Sequence, residues 1–477
     1  MFPGMEKATE AVSTPSKTII KFGTDGWRAI IGDQFTFDNV ARVAQAYAEY
    51  LLEHQGKKVV VGYDTRFMAH RFAQRAAEVL AANGLEVYLS KSYLPTPVLS
   101  FAVKHLQADG GVMITASHNP AEYLGFKIKG SYGGAATPAL VAEVEKHLGA
   151  APKTTSATVH SLDVRKAYYD FIAQQLDLEA LRSYTGVMYH DSLGGAGAGW
   201  LAGFVKHAGL PLELRELHAV PDPMFYGVNP EPIPQNLFTV MTVLKAEQDP
   251  VFAVVNDGDA DQIGAVLAGG IHFNSHRIFA VLLKHLHRKG RTGRVVKTFS
   301  TSKVIDKLAH RLGLELLVTP IGFKYITDEM LKGDVLIGGE ESGGIGVAGH
   351  LPERDGLLNA LLLLESVVHT GKSLGEQFAE IEVELGFKHA YDRIDLHLPS
   401  MEQLKEVMAK VQTPKPIAGQ QVSGTESLDG IKWLFGDAGW LLFRASGTEP
   451  VLRIYCEAQE EKTVKAVLAE AKKLVGL

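Results

Sequence analysis

The spacing of apolar positions changes along the chain, and each change predicts an element. Val40, Val43, Ala44, Tyr47 and Leu51 recur at helical spacing. The short apolar run at 59–61 predicts a buried strand ending at Gly62, and residues 71–83 predict a helix closed by Gly84 as its C-cap. Strand patterns return at 86–89 and 111–114. This alternation of strand and helix is the pattern of an α/β layer domain. It repeats with strands expected at 186–191, 252–255, 294–298, 315–318 and 335–337, separated by helical patterns. Three α/β units follow, with borders near residues 160 and 270. The last part of the chain differs. Ile394, Leu396 and Leu398 alternate, residues 401–411 read as a helix, and two apolar runs at 431–435 and 440–443 flank a Gly-Asp-Ala-Gly hairpin signal. A strand at 451–457 and a helix at 461–474 complete a small α+β unit.

Composition narrows the class. At about 150 residues per domain, 477 residues predict roughly three domains, with four allowed. The net charge of −6 lacks the basic excess of a nucleic-acid binder. A chain of that charge must gather cations locally to handle anionic substrates. One cysteine, Cys456, excludes an intramolecular disulfide and zinc–thiolate clusters, which fits a cytoplasmic location. Residues 1–18 are polar and read as a loose tail rather than a signal peptide. The most apolar stretch, 357–368, contains Asn359 and Glu365 and falls short of the roughly 20 residues needed to span a bilayer, so no membrane association is expected.

Four segments carry chemistry. Thr115-Ala116-Ser117-His118-Asn119-Pro120 follows a strand, where α/β sheets bind ligands, but on local physics alone a polar turn closed by Asn-Pro is the favoured reading. Asn256-Asp257-Gly258-Asp259-Ala260-Asp261 places three carboxylates at alternate positions after a buried strand, so their oxygens can converge on one hard cation such as magnesium. An EF-hand is excluded because Gly264 and Ala265 stand where its distal Glu belongs. A solvated acidic turn is the other reading, and mutual repulsion of the carboxylates speaks against it. Arg444-Ala445-Ser446-Gly447-Thr448-Glu449-Pro450, with Arg453 beyond, reads as a phosphate cradle or as a hairpin loop with a surface Arg. Gly338-Gly339-Glu340-Glu341-Ser342-Gly343-Gly344 reads as a loop that bonds sugar hydroxyls or as a flexible turn. The run from Gly194 to Gly199 lacks the G-x-G-x-x-G spacing and is expected to be a tight strand–helix packing turn.

The four segments in this order resemble the α-D-phosphohexomutase superfamily. Phe22-Gly23-Thr24-Asp25-Gly26-Trp27-Arg28, Gly62-Tyr63-Asp64-Thr65-Arg66 and Thr319-Pro320-Ile321-Gly322-Phe323-Lys324 resemble it too, so the similarity covers nearly the whole chain after the tail. The resemblance implies three related α/β domains with mixed sheets (19–160, 161–270 and 271–386) and a TATA-binding-protein-like α+β domain (387–477) around one central cleft. It implies that Ser117 carries the phosphoryl group, with Lys127, Arg28 and His118 assisting. Asp257, Asp259, Asp261 and an oxygen on Ser117 would hold Mg²⁺. Glu340, Ser342, Gly322, Lys324 and Arg354 would bind the sugar, and Arg444, Ser446, Gly447, Thr448 and Arg453 the distal phosphate. The expected reaction interconverts glucose 1-phosphate and glucose 6-phosphate through a hexose 1,6-bisphosphate. A phosphomannomutase or dual-specificity enzyme is the near alternative, and phosphoglucosamine mutase, a non-catalytic sugar-phosphate sensor and a phosphatase are further ones. Small sugar phosphates, not nucleic acids, are the expected partners; the sequence leaves the oligomeric state open. Two departures from the family pattern stand out. Gln262 follows the third metal Asp where many members have Arg, and Gly344 stands where mannose-using members have His.

Overall fold

The computed structural model describes residues 19–476 except Thr24, residues 248–250 and Thr448. The expected tail, 1–18, lies outside the described residues. Three α/β sheets follow in chain order. The first runs Trp27–Ile30, Tyr123–Gly130, Gly110–Ile114, Lys58–Tyr63, Glu86–Ser90, Val159–Leu162, with the short strand Gly134–Ala135 beside Tyr123–Gly130. The second runs Ile271–Phe273, Ile263–Leu267, Phe252–Asn256, Val187–Asp191, Glu213–Leu217. The third runs Leu316–Thr319, Arg294–Thr298, Val335–Gly339, Ile345–Val347.

Each of these sheets is mixed in the same way. Its parallel strands end in one strand that turns back into an antiparallel neighbour: Gly110–Ile114 into Tyr123–Gly130, Phe252–Asn256 into Ile263–Leu267, and Val335–Gly339 into Ile345–Val347. The three connecting loops hold the serine, acidic and sugar-loop motifs. The three motifs therefore occupy the same topological position in three related units, at the carboxyl ends of parallel strands where α/β sheets bind ligands. The fourth sheet is antiparallel throughout, in the order Ala390–His397, Val451–Ala458, Gly439–Ala445, Ile431–Leu434, Gly424–Glu426. Its Arg444 motif also sits on a turn between adjacent strands.

Local chemistry fixes the helices. Thr36 caps Phe37–Glu53 by accepting from Asn39 N, and Ser373 with Glu376 forms a reciprocal capping box on Leu374–Leu385. The apolar stretch forms Gly356–Thr370, capped by Asp355 and buried along most of its length inside the protein. Among the described residues no helix is long and apolar enough to cross a membrane. One continuous core runs through the first three units, from Leu99 through Phe204 to Leu361. The fourth unit has its own core around Trp433 and Phe443 and meets the third through a smaller cluster of Phe299, Trp440, Leu442 and Tyr455.

Candidate active site

The serine and acidic loops meet back to back. Ser117 is 1 % exposed, and its Oγ donates to Asp257 Oδ2 at 2.7 Å. Its φ of 53° lies in the left-handed region, which a non-glycine residue adopts only when its surroundings hold it there. The hold is visible. Ser117 N donates to Thr115 Oγ1 at 2.9 Å, and Thr115 Oγ1 donates to Asp64 at 2.6 Å. Arg66 donates to the carbonyls of Ser117 (2.7 Å), Asn119 (2.6 Å), Pro120 (2.7 Å) and Tyr123 (3.0 Å). Across from it, Gly258 brings the acidic loop so close that a Cβ there would stand 2.5 Å from the Ser117 carbonyl. Behind Gly258 lies the expected packing turn: Ala196 N donates to Gly258 O at 2.9 Å, and a Cβ on Gly195 would meet that same carbonyl at 2.7 Å. The Gly194 to Gly199 run thus buttresses the acidic loop.

Asp257, Asp259 and Asp261 are buried, and a ligand oxygen from each lies within 4.8 Å of the others. Lys127 Nζ sits 2.8 Å from Asp259, 3.0 Å from Asp261 and 2.8 Å from Asp25. Burial alone would lower the affinity of Lys127 for its proton, but these three carboxylates outweigh it and hold the ammonium charged. Thr96 Oγ1 donates to Asp259 Oδ2 at 2.5 Å. Among the described residues Asp257 has no cation in ion-pair contact; burial, then repulsion from Asp259 and Asp261, pushes its carboxyl well above the usual range. Asp259 Oδ1 and Asp261 Oδ1 are buried without a hydrogen-bond partner among the described residues. An all-oxygen donor set with orphaned carboxylate oxygens and an excess of negative charge fits a divalent hard cation, magnesium above all.

Arg28 lies at the edge of the cluster. It donates to Asn119 Oδ1 at 2.5 Å and stands 3.7 Å from Asp25, with no ion pair to the three Asp of the acidic loop. His118 lies beside it and shares a 3.3 Å contact with Gln262 Nε2. Enclosure in the cleft, then the cations Arg28, Arg393, Arg453 and Lys127, hold the imidazole well below its ordinary range, so it is neutral at pH 7.

The sugar loop reaches the same cluster. Burial pushes the Glu340 carboxyl up to about 7, with Arg354 pulling against it from 3.3 Å. Glu341 faces the fourth unit instead, where it accepts from Tyr391 at 2.6 Å and lies 3.4 Å from Arg393. Ser342 and Lys324 are partly exposed at the cleft, and Gly322, with φ 134°, starts the helix Phe323–Lys332. In the fourth unit Arg444 and Arg453 are directly opposite each other on paired strands. Like charges so placed repel unless an anion lies between them. Asp429, 3.1 Å from Arg444, and Asp395, 3.6 Å from Arg453, flank the pair. Ser446 and exposed Gly447 close the turn beside them; the Thr448 expected there lies outside the described residues. Arg444→Ala is expected to weaken sugar-phosphate binding about ten-fold or more, since a charge-assisted hydrogen bond contributes roughly 1.5–3 kcal/mol. Calorimetric titration with glucose 1-phosphate checks this, and unchanged affinity refutes the phosphate assignment.

Asp25, Asp64, Arg66, Thr96 and Arg393 were not assigned roles from sequence. The first three lie in stretches that resemble the family. Thr96 and Arg393 carry no local signal, since one opens a helix and the other sits on a strand with ion-pair partners, Glu231 and Glu341, from other units.

Models of the family's four domains match this chain throughout: phosphoglucomutase/phosphomannomutase alpha/beta/alpha domain I at residues 20–154, domain II at 166–270, domain III at 274–384 and the C-terminal domain at 400–474. The chain belongs to the phosphoglucomutase/phosphomannomutase family. A phosphoglucomutase/phosphomannomutase from Thermococcus kodakarensis is 31% identical over 462 residues, 95% of this chain and 98% of its own. A relative from Pyrococcus abyssi, provisionally named a phosphoglucosamine mutase, is 30% identical over 461 residues, 95% of this chain and 97% of its own. The crystal structure of a provisionally assigned phosphomannomutase from Thermus thermophilus is 48% identical, with a TM-score of 0.88 over 96% of this chain and 99% of that one. Membership in the phosphoglucomutase/phosphomannomutase family gives the reaction class, phosphohexose mutation.

The two departures from the family pattern are linked in space. Arg354 Nη2 lies 2.6 Å from both Asp261 and Asp25, deep in the cluster. A Cβ on Gly344 would stand 2.3 Å from the Arg354 side chain. The absence of a side chain at 344 therefore leaves room for Arg354, which brings a positive charge to Asp261. Breaking a buried pair leaves an uncompensated buried charge, so Arg354→Gln is expected to lower turnover strongly. Adding Gln262→Arg is expected to restore a substantial part. Steady-state kinetics of the double variant decide it: additive losses without rescue would separate the two positions.

Proposed function

We propose that the protein interconverts glucose 1-phosphate and glucose 6-phosphate, with Ser117 as the phosphoryl carrier. The supporting observation is the 2.7 Å contact between Ser117 Oγ and Asp257, inside a buried cluster of three Asp crossed by Lys127. In this reading phosphorylated Ser117 loses its phosphoryl group to the free O1 or O6 of the bound hexose phosphate. The P–Oγ bond breaks, a P–O bond to the sugar forms, the proton of the sugar hydroxyl replaces the one that Lys127 gives to the Ser117 oxygen, and the product is a hexose 1,6-bisphosphate. The bisphosphate turns around and returns the other phosphoryl group to Ser117. Atoms balance without water or a second substrate.

Asp257, Asp259 and Asp261, with an oxygen on Ser117, would hold Mg²⁺, which when bound draws charge off the phosphoryl oxygens. Lys127 enters the reaction protonated, so we assign it to charge support and proton donation at the serine oxygen, with Arg28 beside it and His118 as a neutral hydrogen-bonding neighbour. Glu340 and Ser342, with Gly322 and Lys324, are assigned to the sugar, and Arg354 to charge balance beneath it. Arg444, Ser446, Gly447, Thr448 and Arg453 are assigned to the distal phosphate. We divide the chain accordingly at residues 160, 270 and 386. The narrower core contact of the fourth unit suits it to close over the sugar and keep water out.

The preference for glucose rests on Glu340-Glu341-Ser342 followed by Gly343-Gly344. The names of the Thermus and Pyrococcus relatives favour mannose or glucosamine phosphates as second readings. Specificity constants for glucose, mannose and glucosamine 1-phosphates, measured side by side, are expected to be highest for glucose. A higher constant for either of the others replaces glucose and leaves the mutase chemistry standing. Free phosphate in place of an isomerised sugar would point to a phosphatase instead.

A further inference from the structure

The helices Ser275–Arg288 and Gly356–Thr370 lie against each other in the third unit. Gly356 at the start of the second helix touches the acidic loop at Ala260, and from nine residues further along the two helices share a cluster of nitrogen and oxygen donors. His285 Nε2 lies 2.8 Å from Glu365 Oε1, and both side chains are buried. Glu365 and His369 are four residues apart, so they project from one face of their helix. The rings of His285 and His369 are 5.5 Å apart, and one ligand atom from each of the three residues lies within 4.8 Å of the others. The second unit reaches in through Asp177. Its Oδ2 accepts from His369 Nε2 at 3.0 Å, and its backbone N donates to Glu365 Oε2 at 2.5 Å. The ammonium of Lys289 stands 2.5 Å from Glu365 Oε1.

We propose that His285, Glu365 and His369 form a second metal site, for zinc or a zinc-like transition ion, which seats where the Lys289 ammonium now stands. The donor set decides the metal. Two imidazoles and a carboxylate suit zinc, whereas magnesium prefers the all-oxygen acidic loop. Asp177 supplies the outer hydrogen bond that metal-binding histidines use: with Nε2 donating to Asp177, Nδ1 keeps its lone pair for the ion. Lys289 holds the place of a cation beside a buried carboxylate, and its partly exposed side chain can swing to solvent. Because Asp177 belongs to the second unit and the three ligands to the third, an ion here fastens two units together at a distance from the chemistry.

The test uses the full-length protein, dialysed free of transition metals and kept in excess Mg²⁺ so that the acidic loop is filled. Titration calorimetry with Zn²⁺ is expected to show one equivalent bound per chain, with a rise in the thermal unfolding midpoint. His369→Ala and, as a milder change at the same partly exposed position, His369→Gln are expected to weaken zinc about ten-fold or more and to remove the thermal shift, with Mg²⁺-supported turnover unchanged. Lys289→Met is expected to bind zinc more tightly than the parent. The proposal is overturned if the parent takes up no zinc under these conditions, or if both His369 variants bind it as the parent does. It is also overturned if Lys289→Met loses stability without gaining zinc affinity, which would make the cluster an ion-pair network only.

Discussion

Ser117→Ala is expected to lower turnover by about 10⁴-fold or more, the scale on which enzymes lose activity when a covalent carrier is removed. The expectation rests on the absence of a substitute. The loop carries no second hydroxyl in a comparable place: Thr115 Oγ1 is committed to Asp64 and to Ser117 N. The backbone at 117 is held by Arg66 and Thr115 rather than by the serine side chain, so the loop should keep its shape in the variant. Sugar-phosphate binding should persist too, because the cations assigned to the distal phosphate, Arg444 and Arg453, belong to a different unit. The experiment pairs a coupled mutase assay with calorimetric binding of glucose 1-phosphate, and adds mass spectrometry for the phosphoserine. Near-normal turnover in Ser117→Ala would end the carrier mechanism, whatever the binding data show.

The elements most legible in the sequence were those whose burial follows a simple period. The helix at 461–474 appears as Glu461–Leu474, and the strand expected at 252–255 as Phe252–Asn256. The antiparallel partners were harder to see. In Tyr123–Gly130, Leu124, Phe126 and Ile128 alternate with Lys127 and Lys129, which looks like a strand with one face in water. Both lysines are buried, Lys127 against Asp25, Asp259 and Asp261 and Lys129 against Glu353. A buried charge is tolerated only where partners from distant segments converge on it, and single-sequence periodicity contains no record of those partners. The equivalence of the three motif loops was hidden for a related reason. It lies in strand order and direction, while the loops themselves share no residues beyond small and polar ones.

The acidic cluster was the most legible part of the site, since three alternate carboxylates after a buried strand admit few uses. Its cations were only half legible. Of the two cations expected to assist, Lys127 is in contact with Asp259 and Asp261, and Arg28 contacts Asn119 and Asp25. Arg354 reaches the cluster through a space that Gly344 leaves open. Read as sequence, Gln262 and Gly344 are two departures and Arg354 is an expected sugar-site cation, spread over more than ninety positions. In space Gly344 borders the Arg354 side chain, and Arg354 pairs with Asp261, the residue just before Gln262.

Removing divalent metal is expected to abolish turnover and lower the unfolding midpoint, and magnesium is expected to restore both. The charge count carries the argument. Asp25, Asp257, Asp259, Asp261 and Glu340 crowd together, and within ion-pair reach of them Lys127 and Arg354 supply the buried positive charge. Each like-charged pair at 4 Å costs roughly 4 kcal/mol at an effective dielectric of 20. Phosphorylation of Ser117 would add about −1.5 to −2 further charges beside Asp257. Without a metal, burial and then repulsion from Asp259 and Asp261 push the Asp257 carboxyl upward. A divalent cation relieves it without a proton and frees all three carboxylates to act as ligands. Binding at 100 times the dissociation constant stabilises the folded chain by about 2.7 kcal/mol, enough to read by thermal unfolding. Asp259→Asn should raise the magnesium concentration needed for half-maximal turnover, because it removes one ligand charge while keeping the shape of the side chain. Chelator-treated protein that still isomerises glucose 1-phosphate at the full rate would show that the acidic loop plays no metal-dependent part in the reaction.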